Sequence, residues 1–549
     1  MAPKRKTTGL PASPKRKKPA LKEKEKEEAI FTVEKVEKLS EEIQKESKYN
    51  NIVTLLDQLS KVGRSLVDSQ DPSLETLGRS VALALFKTFQ VLFKDGKLQP
   101  SAKKQDENER IVAKWLLDKY RVFKTTIGEI LKSSLPHGKS LQLDLFDINL
   151  KLVRVEAENS KERQFPIGTY RLLLETLLDN ENGTVLPDGL SSNFLVLEYA
   201  TVFEKYWDLE FYFFNALGEA LEQWKQSLSP QRLAIILSNY ITIIRNGLLY
   251  AKEDLEKQPT WITSTRLPSS LYKQTQFKAQ FQKCILTIFS YPLLVSQYKA
   301  ILLILHKKII PYMSQPQSLM DFLTDSYDIQ DDLVIPILAL NSLYELIKDY
   351  NIEYPDFYTK LYSLLRPELL YTRYRSRFFR LCDLFLTSTH LSANLVASFI
   401  KKLARLSLTS SVSGVVIIIP FIYNLLKRHP TCMLMIHNTN RAEKYQDPFN
   451  NLETNPMNTQ AINSSLWELE TLMSHYHPNV ATLAKIFGEP FKKPSYNMED
   501  FLDWTYQSLL ETERTRRYRG QAALEFEEFD SVFGGGNTIG NVLLEGWLL

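Results

Sequence analysis

Residues 395–406 read Leu-Val-Ala-Ser-Phe-Ile-Lys-Lys-Leu-Ala-Arg-Leu, and the fold class can be argued outward from this stretch. Its large apolar residues recur at steps of three and four positions, which places them on one face of a helix; they are residues 395, 396, 399, 400, 403 and 406. Lys401, Lys402 and Arg405 fall on the opposite face. The pattern predicts an amphipathic helix with one packed side and one cationic side.

The same helical spacing recurs from about residue 28 onward. Apolar residues follow it in six further segments: 81–92, 111–122, 170–178, 195–221, 233–249 and 281–305. Only 19 of 549 residues are glycine, fewer than the turns of an all-β fold would need. Residues 142–147 alternate in polarity, but too briefly to predict a sheet. We therefore expect an all-α fold, an α-solenoid of HEAT-like helical repeats behind a disordered basic N-terminal arm.

The small net charge of +4 conceals an uneven distribution. Residues 1–28 carry ten basic and four acidic side chains, and residues 366–442 carry eleven basic and two acidic ones. These two regions contribute +6 and +9, which leaves −11 for the rest of the chain. The protein is therefore strongly polarised although its total charge is close to neutral.

The N-terminal arm holds two basic clusters among four prolines, with no apolar core of a signal peptide. The residues predicted to form a nuclear localisation signal are Lys4, Arg5, Lys6, Lys15, Arg16, Lys17 and Lys18. Flexible basic chain fits the acidic groove of an import receptor, although a solubilising or nonspecific RNA-binding tail has the same composition.

The second basic region supplies the candidate binding residues. They are Arg373, Arg375, Arg377, Arg380, Lys401, Lys402, Arg405, Lys427 and Arg428. Guanidinium and ammonium groups on one surface can neutralise RNA phosphates or dock an acidic protein segment. A merely solvated helix face would show the same pattern, so all three interpretations stay open.

Motifs that would carry catalysis or bind a metal or cofactor are not found. Gly138-Lys139-Ser140 resembles the end of a phosphate-binding loop. That motif also requires a glycine five residues before Gly138, and this chain has Ser133 at that position. His475 and His477 have no third ligand nearby, so packing at a helix end is the better interpretation. We expect no catalytic, cofactor-binding or metal-binding residues and no enzymatic activity.

Two further segments are interpreted structurally. The apolar run at residues 415–422 is interrupted by Pro420 and is much shorter than the ~20 residues of a membrane span, so no membrane contact is expected. The aromatic residues of 206–214 are assigned to helix packing rather than to stacking on bases. Trp467 is likewise expected in the core.

Four ordered motifs resemble the CBF/Mak21 family. They lie at residues 335–358, at 390–406, at 421–430 and in the pair 447–449 and 464–478. The chain departs from the family pattern at Ser392, where proline is usual, and at residues 410–413, where a proline pair is common. The resemblance covers roughly residues 330–490.

This resemblance implies a nucleolar ribosome-assembly factor built from helical repeats. The length of the chain and the C-terminal position of the domain resemble the branch that acts on the small subunit. That branch pairs with nucleolar protein 14 in the small-subunit processome, so the implied partners are this protein, other processome proteins and pre-ribosomal RNA. A large-subunit assembly factor and a helical-repeat nuclear transport adaptor are the alternatives.

Four domains are predicted from these observations. They are the arm at 1–28, a helical-repeat region at 29–328, the CBF/Mak21 domain at 329–490 and a tail with segregated charges at 491–549. The expected location is the nucleus, and within it the nucleolus.

Overall fold

The computed structural model describes residues 31–68, 71–98, 107–135, 137–160, 164–247, 257–329, 331–350, 354, 356–437 and 446–517. Throughout this part of the chain the secondary structure is helical, with one isolated antiparallel bridge between Val185 and Ser191 and no β-strand. The prediction of an all-α fold is therefore confirmed. The predicted arm and its localisation signal lie outside the described residues.

The chain divides into two compact units, Met1–Glu353 and Tyr354–Leu549. The α-helices of the first unit are α1 Val33–Glu46, α2 Asn50–Asp68, α3 Pro72–Lys94, α4 Glu107–Lys132, α5 Lys139–Asn159, α6 Ile167–Leu178, α7 Phe194–Phe203, α8 Trp207–Ser227, α9 Pro230–Asn246, α10 Gln274–Phe289, α11 Val295–Ile304, α12 Met320–Asp328 and α13 Val334–Tyr350.

Helices of the first unit pack mainly on the helix two places further along the chain. This spacing holds for the pairs α1 and α3, α2 and α4, α3 and α5, α4 and α6, α6 and α8, α7 and α9, α8 and α10, α9 and α11, and α11 and α13. Successive antiparallel helices thus form layers that stack on their neighbours, which is the packing of an α-solenoid.

Local sequence explains where several of these helices begin. The Asp71 carboxylate accepts a hydrogen bond of 2.9 Å from the Ser73 backbone N–H, and Pro72 occupies the first helical position of α3. Ser229 and Pro230 repeat this arrangement at α9. Both cap pairs satisfy a free N–H and fix the entering backbone. The alternating residues 142–147 lie within α5 and form no strand.

Aromatic side chains fill much of the core of the first unit. Trp207, Phe213 and Phe214 are fully buried, and Phe214 packs edge-on against Phe281 with ring centroids 4.9 Å apart. The assignment of residues 206–214 to helix packing is confirmed. Buried rings of this size provide a large share of the apolar surface removed from water.

The second unit contains α14 Phe357–Ser363, α15 Arg375–Phe385, α16 Ala393–Ser407, α17 Val412–Arg428, α18 Trp467–Met473, α19 Pro478–Ala484, α20 Glu499–Leu502 and α21 Tyr506–Thr515. Helix α16 packs against α17 and α18, and α17 packs against α19 and α20. The six apolar positions predicted to face the core on α16 are all buried.

The division into compact units falls after α13 rather than between residues 328 and 329, where the sequence suggested a boundary. Helix α13 packs against α11 and α12 and therefore belongs with the first unit. Among the described helices, none is both long enough and apolar enough to span a membrane.

Candidate RNA and partner interface

The cationic side predicted for α16 is turned into the protein. The side chain of Lys401 is completely buried, and its ammonium group lies 2.7 Å from the Glu468 carboxylate and 3.3 Å from that of Asp447. It also donates a hydrogen bond to the Ser465 carbonyl oxygen. In this fold Lys401 therefore has no exposed charge with which to contact RNA or a partner, contrary to its place on the predicted cationic side. Buried charges require partners of this kind because their desolvation is otherwise very costly.

Arg405 completes the same ion cluster. Its guanidinium lies 2.7 Å from both Asp447 and Glu468 and 4.8 Å from the centre of the Trp467 ring. About a third of the side chain is exposed. Arg405 is thus engaged in intramolecular contacts and is not the free binding cation that the sequence suggested.

The acidic members of the cluster come from the closing motif of the family pattern. Glu468 is fully buried in the first turn of α18, and Asp447 precedes it in a segment without regular secondary structure. Burial raises the pKa of Asp447, but hydrogen bonds from Ser464 and the Phe449 N–H, with the charge of Lys401, outweigh it and lower the pKa overall. Asp447 therefore stays ionised beside the two cations.

Trp467 departs from its predicted place in the core. Its side chain is 38% exposed, and its ring covers the guanidinium of Arg405. A Trp ring is the best aromatic partner for a cation, so the ring shields the ion cluster from water while one edge remains accessible.

Lys402 is also held by its own chain. Its ammonium group donates to the backbone and side-chain oxygens of Asn451, at 3.1 and 3.0 Å. Partial burial lowers the pKa of Lys402. The three basic residues of α16 therefore all contact the segment that follows α17 along the chain.

Arg375 and Arg380 on α15 hold a later part of the chain, residues 491–504, which we call the 491–504 segment. Arg380 forms a two-pronged ion pair with Glu499, with nitrogen–oxygen distances of 2.8 and 2.6 Å. This hydrogen bonding raises the pKa of Arg380. Arg375 donates to the carbonyl oxygen of Trp504 and, at 2.9 Å, to the Ser413 hydroxyl.

Lys427 and Arg428 at the end of α17 are similarly engaged. Lys427 donates to the Phe491 carbonyl at 3.0 Å, in the 491–504 segment. Arg428 pairs with Asp383 of α15, with nitrogen–oxygen distances of 2.6 and 3.2 Å. Seven of the nine candidate cations therefore bind acids, amides, hydroxyls or carbonyls of the same unit.

Arg373 and Arg377 form the exception. Arg373 is exposed, and neither guanidinium forms an ion pair or a hydrogen bond with any part of the chain that the structure describes. Arg377 stacks over the Tyr374 ring at 5.8 Å, and burial lowers its pKa. These are the candidate residues that the fold leaves available.

The sequence contained a signal for this internal pairing that the site prediction did not use. Residues 447–503 carry eight acidic and three basic side chains, directly after the strongly basic region. Side chains of opposite charge in neighbouring regions attract each other and can pair once the chain folds. Sequence alone, however, does not show which acid meets which base.

The paired histidines support the helix-end interpretation. The His477 ring accepts a hydrogen bond from the Asn479 N–H and so caps α19, in which Pro478 is the first residue. The described residues include no group of three histidine, cysteine or carboxylate side chains arranged to hold a metal ion.

Comparison with known families and proteins identifies the relatives of this chain. The CBF/Mak21 family matches residues 336–484, close to the region of resemblance, and the family described as nucleolar complex protein 4-like TPR repeats matches residues 23–226. The second description places the first unit among helical-repeat proteins, which agrees with its stacked helices.

Whole proteins match over most of their length. A Saccharomyces cerevisiae protein named Nucleolar complex protein 4 is 41% identical, and the alignment covers 91% of this chain and 95% of the yeast protein. A human protein named Nucleolar complex protein 4 homolog is 32% identical, with 76% and 80% covered. A chicken homolog of the same name is 33% identical, with 77% and 82% covered. The chain therefore belongs to the nucleolar complex protein 4 group of the CBF/Mak21 family.

Proposed function

We propose that this protein is a non-enzymatic scaffold of ribosome biogenesis in the nucleolus. Its specific role would be small-subunit assembly and processing of pre-rRNA to the small-subunit rRNA within the small-subunit processome. The observation that carries this proposal is the alignment with a protein named Nucleolar complex protein 4 over nearly the full length of both chains. The matches of this chain to the CBF/Mak21 family and to the nucleolar complex protein 4-like TPR repeats also support a role in ribosome biogenesis.

The architecture suits a scaffold. Stacked helix pairs give each layer an outer surface, so a solenoid can hold several partners along its length. The cysteines do not resemble nucleophiles: all three are buried, and burial raises the pKa of Cys284 to about 12 and that of Cys432 to about 11. Thiols of this kind stay protonated and unreactive at neutral pH.

The partners we propose are nucleolar protein 14, other processome proteins and pre-ribosomal RNA. Trp467 offers a place for a protein contact, because it lines a cavity of about 330 Å³ whose other lining residues include apolar Met435, Leu469 and Phe487 and polar Ser465 and Glu470. Exposed aromatic rings beside apolar pockets are common anchors in protein interfaces. An import receptor would bind the N-terminal arm.

Depletion of the protein tests the assembly step. We expect loss of mature small-subunit rRNA with normal large-subunit species, and sedimentation of the protein with pre-ribosomes. Loss of the large-subunit rRNAs alone would favour the large-subunit alternative, and co-purification with transport receptors without pre-ribosomes would favour an adaptor.

Deletion of residues 2–20 tests whether the N-terminal arm directs nuclear import. We expect reduced nuclear accumulation of the full-length protein carrying this deletion. Unchanged accumulation would mean that the protein enters the nucleus with a partner.

A further inference from the structure

Two of the nine candidate basic residues, Arg373 and Arg377, have no ion-pair or hydrogen-bond partner among the described residues, and both lie in one short stretch with two tyrosines. Residues 371–377 read Tyr-Thr-Arg-Tyr-Arg-Ser-Arg, which spans the end of a 3-10 helix and the start of α15. Arg375 is used internally, but Arg373 and Arg377 are not. This stretch therefore combines the exposed Arg373 and the partly buried Arg377 with aromatic rings.

Tyr371 presents an aromatic ring to solvent. Its side chain is 58% exposed, and its hydroxyl donates a 3.3 Å hydrogen bond to the Thr409 carbonyl, which restrains the ring at the surface. A restrained, exposed ring offers a face for stacking with little loss of side-chain freedom.

Arg377 has hydrogen-bonding capacity that the folded chain does not satisfy. Its Nη1 atom is buried and has no hydrogen-bond partner among the described residues, and the group packs over Tyr374. Buried N–H groups are nearly always paired, so an unpaired one requires an explanation. A phosphate oxygen is a strong acceptor that would satisfy it after a small side-chain shift.

The surrounding charges favour an anionic ligand. The acids near this stretch include Glu368, which is exposed on the same 3-10 helix, and Glu499 and Asp503, which lie 2.6 and 3.7 Å from Arg380. Arg366 is also exposed, at the start of that helix. The stretch therefore remains net positive after the local acids are counted.

We propose that Tyr371, Arg373 and Arg377 form a binding site for single-stranded RNA. One base stacks on Tyr371, and the guanidinium groups contact the adjoining phosphates. An acidic peptide would use the arginines but not the tyrosine face, so the combination favours RNA over protein. The inference deepens the proposed function, from which it takes only the expectation that pre-rRNA is the natural source of this RNA.

Binding of a labelled oligouridylate of about twelve nucleotides to the full-length protein tests the site. We expect Tyr371→Ala to weaken binding roughly 5- to 150-fold, and Tyr371→Phe to retain it, because phenylalanine keeps the stacking face. Arg373→Gln should lower the slope of log affinity against log salt by about 0.7, as expected for one lost phosphate contact on a single strand.

Arg380→Gln provides the matched control. It removes the same charge from a position seven residues further along the chain, on α15, but from a residue already paired with Glu499. We expect little change in RNA binding and an unchanged salt slope. If Arg380→Gln weakens binding as much as Arg373→Gln, general charge accounts for the affinity and the site is refuted.

Two other results would overturn the inference. Unchanged binding by Tyr371→Ala and Arg373→Gln would assign RNA contact to another region, such as the basic arm. Normal RNA binding with loss of a co-purifying protein would make the stretch a protein interface. Neither result bears on depletion and rRNA measurements, so the proposed function is tested separately.

Discussion

The buried ion cluster of α16 predicts a large difference between two adjacent lysines. Lys401→Met removes a fully buried ammonium group and leaves Asp447 and Glu468 with Arg405 as their one cation in the cluster. Breaking a buried ion pair from one side costs about 3–5 kcal/mol, because an uncompensated charge remains inside. We expect about 3 kcal/mol, the lower end, because Arg405 stays 2.7 Å from each carboxylate.

Lys402→Met is the matched control. This lysine is partly exposed, and its ammonium group contacts the oxygens of Asn451 and, at 5.7 Å, the Tyr362 ring. Its loss should cost less than about 1 kcal/mol.

Charge balance also predicts a rescue. Lys401→Met combined with Glu468→Met leaves one cation, Arg405, beside one anion, Asp447. Replacing both partners of a buried pair by apolar groups is often close to neutral, so we expect the double variant to recover to within about 1 kcal/mol of wild type.

Hydrogen exchange of the amides in α16 and α17 measures these differences within the full-length protein. A loss of about 3 kcal/mol in the free energy of opening speeds exchange roughly 100-fold. Equal exchange in the two single variants would refute the cluster as a stabilising element. A double variant worse than Lys401→Met would refute the charge-balance reasoning.

Three further predictions concern other parts of the fold. Burial raises the pKa of the Asp208 carboxyl group from 3.8 to about 6, although backbone N–H donors such as that of Trp261 act to lower it. The folded state therefore binds this proton more tightly than the unfolded chain does. The resulting contribution of Asp208 to the free energy of unfolding is fully present below pH ~4 and falls by up to about 3 kcal/mol as the pH rises through ~6. Asp208→Asn should flatten that part of the stability curve measured by urea unfolding, and an unchanged curve would show that Asp208 is ionised throughout. Asn424→Ala removes a pair of hydrogen bonds to the Tyr496 backbone, at 2.8 and 2.7 Å, and should expose the 491–504 segment to faster proteolysis, with a loss of about 1–3 kcal/mol; cleavage at the wild-type rate would contradict this. Gly189→Ala places a methyl group 2.4 Å from the Ser296 carbonyl oxygen at a φ of +80°, so it should lower the melting temperature measured by calorimetry, whereas Gly218→Ala, where the added methyl meets nothing, should not.

The helical architecture was predictable because it depends on local periodicity. The spacing of apolar residues in α16 placed the correct six positions in the core. Capping residues such as Asp71 and Ser229 are readable in the same way, since their partners lie two or three residues away.

The candidate site was less predictable because its contacts are long-range. A helical pattern shows that Lys401 faces away from the main apolar stripe, but not that another segment covers that side. The covering residues, Asp447 and Glu468, are 46 and 67 positions away along the chain. Trp467 was misplaced for the same reason: hydrophobicity predicted burial, whereas a cation from a distant helix holds the ring near the surface.

The 491–504 segment is held largely through its main chain. Residues Phe491, Lys493, Tyr496, Leu502 and Trp504 contribute carbonyl oxygens, and the donors are side chains of α15 and α17. Every amino acid supplies the same carbonyl, so the exposed side chains of this segment that make no contact of their own are free to drift during evolution. Glu499, which pairs with Arg380, and the rings that pack on Tyr423 are constrained, as are donors such as Asn424 and Lys427. In a distant relative, retained donors would therefore reveal the docked segment even after its own sequence had diverged beyond alignment.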